Sequence, residues 1–167
     1  MKNILFPAFI TVILISSLVG CSSPENESNS VFHVPEGFTI EPAVDPELIS
    51  FPMFANFDDQ GRLYLFEATE PNDMSTDSMV ANPTYHIRML TDTDQDGIFD
   101  QSVIYADEIP FPMGGIFYNG SVYAAAPPDL LKFTDTDGDG VADKKEVVLT
   151  GWTLYNNGAI LSGPDLG

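Results

Sequence analysis

The sequence predicts an all-β chain, an incomplete β-propeller of about two four-stranded blades plus the start of a third. Three observations carry that expectation. An acidic loop, Asp92-Thr93-Asp94-Gln95-Asp96-Gly97-Ile98-Phe99-Asp100, returns 43 positions later as Asp135-Thr136-Asp137-Gly138-Asp139-Gly140-Val141-Ala142-Asp143, and self-similarity at this period is the mark of propeller blades. Short apolar runs with period-two patterning separate turn residues throughout. Thirteen Gly and thirteen Pro in 167 residues, with few helix-forming runs, favour turns and strands.

The strands follow in order from residue 35. Pro35 to Val44 reads as a turn and an extended segment, with Pro42 restricting it to an edge or strand end. Residues 51–57 form an apolar strand, Asp58-Asp59-Gln60-Gly61 a turn, and residues 62–67 its hairpin partner. Residues 68–83 are polar and proline-punctuated and read as a long loop. Residues 85–90 enter the first acidic loop and 102–106 leave it, giving a first blade at about 51–107. The order then repeats: a strand over 113–118, the turn Asn119-Gly120, a strand over 121–126, the Pro127-Pro128 break, a strand over 130–134 and another over 146–150. This second blade spans about 111–150, and 152–167 reads as the start of a third. Propellers close with about four to eight blades, so the chain reads as an N-terminal fragment whose downstream domains are missing; a self-contained small β-sheet domain is the alternative.

The acidic loops carry the clearest chemistry. Carboxylates at alternate positions, followed by a glycine that permits sharp reversal, wrap oxygens around a hard cation, and Ca²⁺ accepts about six to eight of them at loose geometry. The second loop completes the D-x-D-x-D-G-x5-E pattern: Asp135, Asp137, Asp139, the Val141 carbonyl, Asp143 and Glu146 are its expected ligands. The first offers Asp92, Asp94, Asp96, the Ile98 carbonyl and Asp100, but has Val103 where the last carboxylate belongs and is the poorer site. With strands on both sides, the loops are expected to staple strands together, not to act as sensors that open a helix pair.

Composition excludes some partners. Twenty-five acids against six bases give a formal charge of −19, which repels phosphate backbones and excludes nucleic acid. A hydrophobic fraction of 44% argues for a packed core over a disordered acidic chain.

Residues 1–20 read as a signal peptide: Lys2, then an uncharged apolar run to Val19. The ending Leu18-Val19-Gly20-Cys21 resembles the lipobox of bacterial lipoproteins. That resemblance implies acylation of Cys21, a membrane-anchored location in the bacterial cell envelope facing the periplasm or exterior, and a lipidated, flexible tether over residues 21–34. The domain proper then covers 35–167.

Other candidates read as structural. His86 alternates with Arg88 and Leu90 on a strand and could serve as a general base, but is expected to be structural. Arg62 is read as bracing its hairpin against an acid such as Glu67. Tyr64, Phe66, Phe117, Tyr118 and Tyr123 are read as inter-blade core, with a sugar-stacking platform as the alternative.

Pro35-x-Gly-Phe-x-Ile, Phe51-Pro52-Met53 and Gly61-Arg62-Leu63-Tyr64-Leu65-x-Glu67, in this order, resemble the opening of glucose/sorbosone dehydrogenase-like propellers. Ile87-Arg88-x-Leu90 with the first acidic loop, then Pro127-Pro128-Asp129-Leu130 with the second, is similar to the membrane-bound dehydrogenase propellers in large secreted proteins of planctomycetes, verrucomicrobia and bacteroidetes. The resemblance covers about residues 35–167. It implies oxidation of a sugar or other alcohol with pyrroloquinoline quinone as hydride acceptor. No catalytic or quinone-binding residue carries over: neither His33 nor His86 sits in a matching motif, and the single cysteine excludes a Cys-x-x-Cys-His haem module. The alternative is a non-catalytic, calcium-stabilised surface propeller for adhesion or glycan binding, as in FG-GAP repeats. There a hydrophobic strand follows the last aspartate, whereas Asp143 precedes Lys144-Lys145-Glu146.

Overall fold

A computed structural model describes residues 32–69, 76–153 and 163–165. The signal peptide, Cys21, most of the tether and most of the third-blade start lie outside the described residues. The chain divides into two units, 1–40 and 41–167. In the first, the Phe38 N–H donates to the Pro35 carbonyl at 3.1 Å around Gly37, whose φ of +90° suits a residue without a Cβ. Among the described residues, no helix is long and apolar enough to cross a membrane.

The second unit consists of two four-stranded antiparallel sheets, each a meander in sequence order. The first sheet holds β1 (Phe51–Phe57), β2 (Leu63–Ala68), β3 (Tyr85–Thr91) and β4 (Gln101–Ile109). The second holds β5 (Gly115–Tyr118), β6 (Ser121–Ala126), β7 (Asp129–Thr134) and β8 (Lys144–Thr150). The all-β expectation therefore holds, with several strands extending further than the sequence suggested and β5 starting later, at Gly115.

Period-two alternation gives each strand two faces. On β2 and β3, Tyr64, Phe66, Ile87 and Met89 point toward the second sheet, while Leu63, Leu65 and Leu90 point away. The second sheet answers the large residues with small ones. Ala124 and Ala126 of β6 are fully buried in the same core, beside Val122, Leu131 and Phe133. Large-against-small pairing lets the sheets approach at native packing density. Gly115 shows how closely: a Cβ there would run into the Phe66 ring and the Tyr123 carbonyl. A ring contact crosses the same seam, with Phe117 stacked on Tyr64 at 5.5 Å, and within the first sheet Tyr105 stands edge-on to Tyr64 at 5.1 Å. The Phe117 N–H donates to the Asn56 Oδ1 at 3.1 Å, tying β5 to β1.

Three expectations change. The stretch 68–83 is not wholly a loop: Thr76–Ala81 forms a short helix, α1, closed by the Asn82 N–H on the Ser78 carbonyl at 2.9 Å and followed by Pro83. Among its described side chains one is buried, Met79, too little periodicity to be visible as a helix. Arg62 pairs with Asp58, not Glu67; Asp58 also accepts the Gln60 and Arg62 N–H groups, both at 2.9 Å, so it closes its own turn. Of the five aromatics, Tyr118 and Tyr123 lie outside the inter-sheet core: Tyr118 is exposed, Tyr123 is half-buried on the face of β6 opposite Val122 and Ala124, and the two rings are 6.5 Å apart.

Candidate metal centre

The two acidic loops connect β3 to β4 and β7 to β8, each joining the third strand of a sheet to its outer strand. They share one hydrogen-bond scaffold. The first aspartate accepts from the backbone N–H three and five residues on: Asp92 from Gln95 at 2.7 Å and Gly97 at 2.9 Å, Asp135 from Gly138 at 2.6 Å and Gly140 at 2.9 Å. Asp96 accepts from the Ile98 N–H and Asp139 from the Val141 N–H, both at 2.8 Å. The last aspartate accepts from a threonine hydroxyl, Asp100 from Thr93 at 2.5 Å and Asp143 from Thr136 at 2.6 Å. Gly97 and Gly140 sit at φ +95° and +90°, where a side chain would be strained.

This scaffold turns carboxylates toward a common point. Oxygens of Asp92, Asp94 and Asp96 all lie within 4.8 Å of one another, as do those of Asp135, Asp137 and Asp143. Ligands on opposite sides of a Ca²⁺ at about 2.4 Å are separated by about 4.8 Å, so either trio can share one coordination sphere. Protons are held off as well. Slight burial pushes the Asp135 carboxyl up, but N–H donors led by Gly140 and Gly138 outweigh it and hold the group below the usual range. The Thr93 hydroxyl and N–H lower Asp100 in the same way.

The other expected carboxylate ligands stand outside these trios. Asp139 is outside the second trio, and Asp100 outside the first. Val141 and Ile98 are exposed loop residues that use their N–H groups within the loop. Glu146 falls within β8, opposite Lys132 in the ladder, with Lys144 at 3.1 Å and Lys132 at 3.6 Å. Strand geometry, absent from a twelve-residue helical pattern, sets that position. Its equivalent in the first loop, Val103, likewise belongs to a strand.

The second loop also touches the first sheet. The Ala142 N–H donates to the Tyr105 carbonyl at 2.7 Å, the Tyr105 hydroxyl donates to the Phe133 carbonyl at 3.2 Å, and the Met89 and Val103 side chains approach Gly140. Burial pushes the Tyr105 hydroxyl up to about 12. An open cleft of about 280 Å³ beside the loop is lined by Arg62, Tyr64, Tyr105, Phe117 and Asp135. Tyr64 and Tyr105 are almost fully buried, so they present little ring face to it.

Sequence reading missed a polar cluster on the other face of the first sheet. Glu67, fully buried on β2, stands opposite His86 on β3. Its Oε2 accepts from His86 Nε2 and Arg88 Nε, both at 2.7 Å, and its Oε1 accepts from the Ser50 N–H at 3.0 Å. A carboxylate only accepts, so Nε2 donates to it. Burial would raise the Glu67 carboxyl, but the hydrogen bonds from His86, Ser50 and Arg88 prevail and lower it. The alternation of His86 and Arg88 was visible; their pairing with Glu67 depends on the register across the intervening 68–84 segment.

Repeated four-stranded antiparallel sheets, each with an acid-rich loop between its third and fourth strands, define the class of protein. Within that class, a family model described as a domain of unknown function (DUF7133) matches residues 23–167, and the chain belongs to that family. No curated protein and no solved structure matches it.

Proposed function

We propose that the chain is a calcium-binding β-propeller module, lipid-anchored through Cys21 at the bacterial cell envelope, in which each acidic loop takes one Ca²⁺ and fixes the outer strand of its blade to the strand beside it. The supporting observation is the recurrence, 43 residues apart, of one hydrogen-bond scaffold that converges three carboxylates. Asp135, Asp137 and Asp143 hold the cation in the second loop, and Asp92, Asp94 and Asp96 in the first. The ion would neutralise oxygens that otherwise repel one another in a chain of charge −19. Melting the protein with added Ca²⁺ and then with a chelator tests the reading: Ca²⁺ raises the midpoint and the chelator reverses it. Identical curves would overturn it.

On this reading the module is structural in itself and serves a larger propeller, by resemblance a quinone-dependent sugar or alcohol dehydrogenase. One observation favours a catalytic role as a second reading: the Glu67 carboxylate accepts from His86 Nε2 and so orients the ring, the arrangement of a positioned base. Dye reduction by the protein with pyrroloquinoline quinone and a panel of sugars tests it, and its loss in His86→Gln is the expected signature. Glycan binding without dye reduction would instead favour a surface-adhesion role.

A further inference from the structure

The repeat makes the two sheets comparable residue by residue, and the comparison exposes a seat that one sheet fills and the other leaves open. In the second acidic loop, the eighth residue, Ala142, donates its N–H to the Tyr105 carbonyl on the outer strand of the preceding sheet. The eighth residue of the first loop, Phe99, donates its N–H at 2.8 Å to the Ala43 carbonyl, and Val44 forms a parallel bridge with Phe99. Ala43–Val44 thus stands to the first sheet as β4 stands to the second: it occupies the place of a preceding sheet's outer strand. The chain then runs through Leu48 and Ile49, packed on the first sheet, as the segment after Tyr105 runs through the buried Ile109 into β5.

Among the described residues, the inner strands of that preceding sheet have no counterpart. Phe117, opposite Val122, stacks on Tyr64 of the preceding sheet; its equivalent Phe57, opposite Leu63, is 59% exposed. A Cβ on Gly140 would meet Met89 of the preceding β3, whereas one on Gly97 would meet nothing within 4 Å. Because Ala43 turns its carbonyl toward Phe99, the alternation of extended backbone directs the Val44 N–H and carbonyl the other way, as a strand edge ready for pairing.

We propose that Phe57 and the Val44 edge form a docking surface for a three-stranded antiparallel β-sheet of this same repeat, which takes Ala43–Val44 as its outer strand and presents an aromatic ring to Phe57 as Tyr64 does to Phe117. This rests on the blade reading of the two sheets. A second copy of the chain does not fit the seat, because its outward sheet already carries its own outer strand, β8, which would collide with Ala43–Val44.

The test places the photocrosslinker p-benzoylphenylalanine at position 57 of the protein in its native cells, with the same substitution at position 117 as the internal control, and identifies the joined peptides by mass spectrometry. Position 117 must join to the β2 peptide containing Tyr64; failure there overturns the blade reading itself. With that control satisfied, position 57 is expected to join a strand peptide from a repeat that carries its own Asp-x-Asp-x-Asp-Gly loop. Val44→Pro, which removes the outward N–H, is expected to lose this product while keeping the product at 117. Joining to residues 115–150 of another copy, to a protein without such a repeat, or to nothing would overturn the proposal.

Discussion

Gly97 and Gly140 occupy the same step of the two loops at nearly the same positive φ, yet only Gly140 faces side chains of the preceding sheet. Gly97→Ala is therefore expected to cost only the left-handed strain, on the order of 1 kcal/mol, and Gly140→Ala that much plus the displacement of Met89. Paired chemical-denaturation curves would check the order, and equal losses would contradict it. Glu67 makes a second prediction at this scale. Its folded pKa is lowered below the unfolded value of about 4.3, so its contribution to stability is present above that value and is lost as pH falls through the folded one. Glu67→Gln should cost about 1–3 kcal/mol at neutral pH, and its gap from the parent should narrow below about pH 4. A gap that is constant with pH would contradict this. At single residues, the sequence showed which side chains carried charge but not always their partners. Asp92 and Asp135 could be placed because their hydrogen bonds close within five residues. Glu67 could not, because its partners are 19 and 21 positions away.

Among elements, the seam between the sheets depends on β5 and β6 being small where β2 is large. Gly115→Ala drives a methyl into the Phe66 ring and the Tyr123 carbonyl, and such overpacking costs about 1–3 kcal/mol. The thermal midpoint should fall without loss of far-ultraviolet β signal, and an unchanged midpoint would show that the sheets do not meet as closely as described. The strands themselves were readable, since alternation and turn residues such as Asn119-Gly120 are local signals. Helix α1 was not, because six residues with one buried side chain among those described give no period to detect. Glu146 marks the other limit: a spacing rule drawn from a helix-flanked loop assigned it to the cation, whereas the β7–β8 register sets it against Lys132.

At the scale of the whole molecule, the second loop is both a turn of its own sheet and a contact to the preceding one, through Ala142 on Tyr105 and Gly140 beside Met89. A cation in that loop would stabilise the blade and the inter-sheet seam together, while the first loop would secure Ala43–Val44. The repeat of 43 residues made this architecture visible from the sequence; the direction in which each sheet is left open emerged only from comparing the two loops in space. The most direct measurement is calorimetric melting of the parent, Asp92→Ala, Asp135→Ala and the double variant, each with saturating Ca²⁺ and with chelator. At ligand about a hundredfold above Kd, one site contributes about 2.7 kcal/mol, a rise of several degrees for a domain of this size. The account predicts that rise in the parent, a smaller one in each single variant and none in the double variant. A parent midpoint unmoved by Ca²⁺, or a rise that survives both substitutions, would contradict it.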